Sequence, residues 1–207
     1  MKNTDNNNIT SFIDYVESEC RKARVQFKPY KRSYIKLTND IKCGGFFDDG
    51  STPTRKATLA FAQGRPDYLE LLVHEYCHMT QWQEQIPVWT TAIDGMTIID
   101  EWLSGKDYPN DVVEKAINSS RDLELDNEKR TVSMIKRWKL PIDTDLYTKK
   151  SNAYVLFYNW IKQSRKWSDP KNSPYNNQVV LSAMSEKFDM NYEELTPELV
   201  EIYKNNI

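Results

Sequence analysis

The stretch DYLELLVHEYCHMTQWQEQ, residues 67–85, decides how the rest of the chain is read. Asp67 stands where a helix can start, and Leu69, Leu72, Val73 and Tyr76 recur at the spacing of one helical face. Pro87 follows closely, so the pattern predicts a helix over 67–85 that stops before it. On such a helix His74 and His78 lie one turn apart on one face, where both imidazoles can reach a single ion. Glu75, beside the first histidine, can reach a water in the ion's open position. These are the only two histidines in the chain, and both fall in the HEYCH segment. Zinc suits two imidazoles, acidifies a bound water and polarises a carbonyl. Glu75 would then take the water's proton and deliver it to a leaving amine. The segment thus predicts one zinc ion, Glu75 as catalytic base, and hydrolysis of an amide bond in a peptide or protein substrate.

A third ligand must come from elsewhere. Gln81 and Glu84 stand where the longer HExxHxxGxxH pattern needs glycine and histidine, so that pattern is excluded. A carboxylate is the natural substitute, and LELDNEKR, residues 123–130, offers Glu124 and Glu128 on one helical face. Leu125, Glu128, Val132 and Ile135 follow a 3-4-3 spacing that puts Glu128 on an apolar stripe, where a carboxylate is costly without a cation. Glu124 lies one turn earlier, at the stripe's edge. One can bind the ion while the other orients a histidine. Alternatively, both belong to a solvated face with Lys129 and Arg130. Two histidines and a carboxylate also suit ferrous iron, but the helical spacing and Glu75 favour zinc.

Outward from this centre, polar residues 2–8 read as a flexible tail within residues 1–8. Phe12, Ile13, Val16 and Cys20 predict a helix over 9–24 capped by Thr10 or Ser11. Tyr34, Ile35 and Leu37 suggest a short strand. Gly44-Gly45 and Asp49-Gly50 punctuate a hairpin around Phe46 and Phe47. KATLAFAQ, residues 56–63, reads as another strand, either in the core or at an edge where an extended substrate could pair. Helices are expected over 110–139, 144–167 and 197–203, with a loop over 168–177. Strands early and helices late define an α+β class: a small N-terminal antiparallel or mixed sheet, then a mostly helical part, in one domain over 1–207.

Composition narrows the function. With 39% hydrophobic and 28% charged residues, the chain is globular and large enough for a core without disulfides. A net charge of -2 argues against a nucleic-acid partner held by bulk charge. No apolar run approaches a membrane span, and MKNTDNNNIT lacks a signal-type apolar stretch. Cys20, Cys43 and Cys77 lack metal-ligand spacing, so free thiols in the cytoplasm are expected. Cys77 reads as a small buried residue. Tyr154 and Tyr158, one turn apart, can polarise an oxyanion or simply pack. Trp82, Trp89 and Trp102 can wall a pocket or fill the core.

The HEYCH helix with a later glutamate helix resembles the gluzincin branch of zinc metallopeptidases, which implies a zincin-like fold. In that branch the third ligand often lies in an ExxxD pattern, and Glu124-Leu-Asp-Asn-Glu128 is similar but ends in glutamate. The helix running to Lys139-Leu140-Pro141 resembles the ImmA/IrrE-like peptidases of phages and mobile elements, which implies Glu128. Together, residues 70–140 look most like small phage-encoded metallopeptidases, which would place the chain in a host cytoplasm. The alternative is a catalytically silent zinc-binding regulatory or phage accessory protein with the same fold.

Overall fold

A computed structural model describes residues 2–37, 41–51 and 55–207. The class is α+β, with a small N-terminal sheet followed by helices. The chain forms two compact units: Met1–Gln85 with Arg130–Ile142, and Ile86–Lys129 with Asp143–Ile207.

The first unit opens with α1 (Lys2–Lys22), β1 (Gln26–Tyr30), β2 (Ile35–Lys36), β3 (Lys42–Cys43), β4 (Gly45–Asp48), β5 (Thr58–Ala62) and α2 (Tyr68–Glu84). Residues 2–8, expected as a tail, are the first turns of α1. Asp5 near its start and Arg21 and Lys22 at its end complement the helix dipole. Thr10 does not cap; its hydroxyl donates to the Asn6 carbonyl, 3.0 Å away within the helix.

The sheet is mixed, in the order β1-β5-β4, with β5 parallel to β1 and antiparallel to β4. Alternation assigns its faces. Ala60 and Ala62 pack with Ile35 of the small β2–β3 hairpin, Cys43 and Phe46. Leu59 and Phe61 point the other way, with Phe27 against Phe61 and Phe47 against Trp82 of α2. Gly45 pairs with Phe61 and so presents its missing side chain to α2. β5 is paired on both sides and wholly buried. A central strand has no free edge, so it cannot take a substrate by backbone pairing.

α2 starts where expected, but Asp67 does not cap it: both its carboxylate oxygens bind the Arg65 guanidinium at 2.7 Å. Gln85, in the left-handed conformation at φ 51°, ends the helix. On α1, Phe12, Val16 and Cys20 are buried, and Tyr15 accepts a hydrogen bond from Tyr76 of α2 at 3.0 Å. Trp138, from the last turn of α4 (Asn110–Trp138), packs on Phe12 and Tyr15.

The second unit holds α3 (Pro87–Leu103), the earlier part of α4, α5 (Thr144–Ser164), α6 (Gln178–Ser182) and α7 (Pro197–Asn206). Pro87, besides stopping α2, is the first residue of α3, where proline's fixed φ and missing N–H suit a helix start. Mid-helix Gly95 is a close-approach position: a Cβ there would lie 2.9 Å from the Ala116 carbonyl of α4. Asp143 caps α5 through the N–H groups of Asp145 and Leu146, both at 3.0 Å. Ala153, Leu156, Phe157 and Ile161 of α5 then bury against Val180, Leu199 and Tyr203. The expected loop 168–177 contains two short 3-10 turns. Among the described residues, no helix is long and apolar enough to cross a membrane.

Candidate metal centre

The histidines sit at the rim of α2's buried stripe. Leu69, Leu72, Val73, Tyr76, Cys77 and Met79 fix the helix rotation through burial, which leaves His74 and His78 half-buried on the adjoining face. Their Nε2 atoms face each other at 3.1 Å. Two imidazole nitrogens each about 2.0–2.1 Å from one tetrahedral ion would stand roughly 3.3–3.4 Å apart, so the spacing lies close to that of a shared ion. The other ring nitrogen of His78, Nδ1, lies 2.8 Å from the side-chain oxygen of Gln81, a residue with no solvent exposure.

Glu75 is buried, and the sheet makes room for it. A Cβ on Gly45 would stand 3.0 Å from both Cγ and Oε1 of Glu75 and 3.1 Å from the Ala60 carbonyl. β4 therefore lies directly against this side chain. Cys43, just before it, has its thiol pushed up by burial and, secondarily, by the Glu75 charge.

Glu124 and Glu128 are both buried on α4, which excludes the solvated-face reading. Glu128 Oε2 accepts a hydrogen bond from Ser151 of α5 at 2.8 Å. Tyr154 and Tyr158 follow on the same helix with their hydroxyls 3.3 Å apart. Burial raises the Tyr154 phenol well above its ordinary value, followed by the charge of Glu124, with Tyr158 and Glu128 adding to it. Tyr158 is likewise raised, by burial first and Glu124 second. Both phenols stay protonated and lie within the field of Glu124.

His74, His78 and Glu124 form a group in which each residue offers one ligand atom, and these atoms lie within 4.8 Å of one another. Such a group could hold a metal ion. It offers two ring nitrogens and one carboxylate oxygen as ligand atoms. Glu128 does not belong to the group. Trp82 lies on Phe47, and Trp102 packs under the Arg165 guanidinium.

Three contributors escape a reading of the sequence by motif: Gly45, Gln81 and Ser151. Of these, only Gln81 leaves a trace, because it stands three residues after His78 on the same helical face. Gly45 reads as a turn glycine, and Ser151 depends on a contact from one helix to another. Compared with known protein families, curated proteins and solved structures, the chain matches none.

Proposed function

We propose that the chain is a zinc-dependent metallopeptidase in which Glu75 is the catalytic base. The observation that carries this reading is the convergence of His74, His78 and Glu124 beside a buried glutamate that is itself no part of the ligand group. A zinc ion held by these three residues would acidify a water and polarise a peptide carbonyl. Glu75 accepts the water's proton and passes it to the departing amine, so one carboxylate serves as base and then as acid. The protonated Tyr154 and Tyr158 phenols supply donors near Glu124 for a developing oxyanion. β4 is an outer strand of the sheet, and Gly45 brings its backbone against Glu75. An extended peptide paired along that strand would present its backbone to the base. Glu128, bonded to Ser151, lies outside the ligand group.

The test is zinc content by mass spectrometry together with hydrolysis of a quenched fluorescent peptide library. Wild type and Glu128→Ala should carry near-stoichiometric zinc, and Glu124→Ala should lose it. Glu75→Gln should keep zinc and lose hydrolysis. Hydrolysis at the wild-type rate by Glu75→Gln would remove Glu75 from the mechanism. Zinc without hydrolysis in the wild type would favour a silent binding protein.

A further inference from the structure

We infer that Gln81 is a positioning residue for this metal group: it holds His78 in the Nδ1–H tautomer and so commits Nε2 to the ion. The purpose of the arrangement rests on the zinc reading above, but the geometry does not. The Gln81 side-chain oxygen lies 2.8 Å from His78 Nδ1. An amide oxygen carries no proton, so the ring must supply one for that contact to be a hydrogen bond. A neutral imidazole has a single N–H, and placing it on Nδ1 leaves Nε2 as a lone pair. That lone pair points to His74 Nε2, 3.1 Å away, where a shared ion would be ligated. The opposite tautomer would set two lone pairs against each other at 2.8 Å with the amide as it stands, and would require the Gln81 amide to turn over so that its NH2 meets Nδ1.

The sequence position explains why a glutamine does this. Three residues on from His78, its side chain returns to the same helical face, and the backbone of α2 fixes the distance. At zero exposure a neutral acceptor avoids the desolvation that a carboxylate would suffer. Metal-binding histidines depend on such partners for ring orientation, and losing one typically weakens metal affinity by roughly 10–100-fold.

The experiment uses the full chain, metal-free and ¹⁵N-labelled, with a long-range ¹H–¹⁵N spectrum of its two imidazoles. His78 should show the Nδ1–H pattern. Gln81→Met keeps length and burial but removes the acceptor. It should shift His78 toward Nε2–H and weaken zinc binding by about 10–100-fold in competition with a chelating dye. Gln81→Glu restores an acceptor and should return His78 to Nδ1–H, with zinc affinity above that of Gln81→Met but below wild type because the buried carboxylate carries a desolvation cost. His78 as Nε2–H in the wild type would overturn the inference. So would wild-type tautomer and zinc affinity in Gln81→Met. If Gln81→Met fails to fold, the wild-type tautomer alone decides. A Gln81-dependent tautomer in a chain that takes up no zinc would sink the metal reading and leave the tautomer assignment standing.

Discussion

Replacing Gly45 with alanine tests how the sheet and the proposed base fit together. The added methyl would stand 3.0 Å from Glu75 Cγ and Oε1 and 3.1 Å from the Ala60 carbonyl. Carbon contacts settle near 3.5–4.0 Å, so something must move by roughly 0.5–1 Å. The Ala60 carbonyl belongs to β5, which is paired on both sides, whereas Glu75 has rotatable bonds. Glu75 therefore yields. A catalytic base works within about 2.6–3.2 Å of its proton, and a misplacement of order 1 Å can cost about 100-fold. Gly45→Ala should lose about 10–100-fold in kcat. Overpacking should lower stability by about 1–3 kcal/mol at most. Zinc content should stay unchanged, because neither histidine is touched. The assays are peptide hydrolysis, zinc by mass spectrometry and thermal unfolding. Wild-type kcat with full zinc loading would refute the fit of β4 against Glu75, and lost zinc would mean that Gly45 serves the ligands instead.

Gly95→Ala gains about 1 kcal/mol of helix propensity, yet its methyl would meet the Ala116 carbonyl at 2.9 Å and Cα at 3.1 Å. Backbone cannot step aside, so urea unfolding should show a net loss of about 1–3 kcal/mol, and a gain would contradict the close helix approach. Ser151→Ala removes a buried hydrogen bond to Glu128 and should cost about 1–3 kcal/mol in the same assay; a change of a few tenths would make that bond incidental. The Cys20 thiol is raised to about 12, by burial first and then by Glu17 and Glu19. The unfolded chain loses this proton from about pH 8.5 while the folded chain keeps it. The stabilisation is therefore complete below that pH and lost as pH climbs toward 12, at up to about 1.4 kcal/mol per unit. Cys20→Ala should flatten this slope between pH 9 and 12; an unchanged slope would remove Cys20 as its source.

What could be read from the sequence was local. The α2 helix, its HEYCH face, the strand at β5 and the long α4 and α5 all carry their signal within a few turns of chain. The missing pieces share a physical cause. α3 carries no clear start signal because Pro87 reads as punctuation, although a proline that stops one helix can open the next. The asparagine-rich start reads as a tail because single-residue propensity is a weak guide, whereas the structure continues α1 through it. β1 has no strand signal of its own because Pro29 interrupts QFKPY, and an outer strand tolerates a proline that a central one does not. The central place of β5 depends on which strands flank it, and no feature of KATLAFAQ alone encodes that.

The two glutamates show where burial arguments stop. The cost of placing Glu128 on an apolar stripe correctly demands a polar partner, but the demand does not specify a cation. One partner that the fold supplies is the hydroxyl of Ser151, on a helix that begins 16 residues after Glu128. Glu124, at the edge of the same stripe, is the carboxylate that gathers with His74 and His78. Desolvation tells which groups need a partner; only the tertiary register of α4 tells which partner each finds. A swap of roles makes the point testable. If the stripe alone set the ligand, Glu128→Gln would abolish zinc binding and Glu124→Gln would spare it. The grouping of Glu124 with His74 and His78 predicts the reverse.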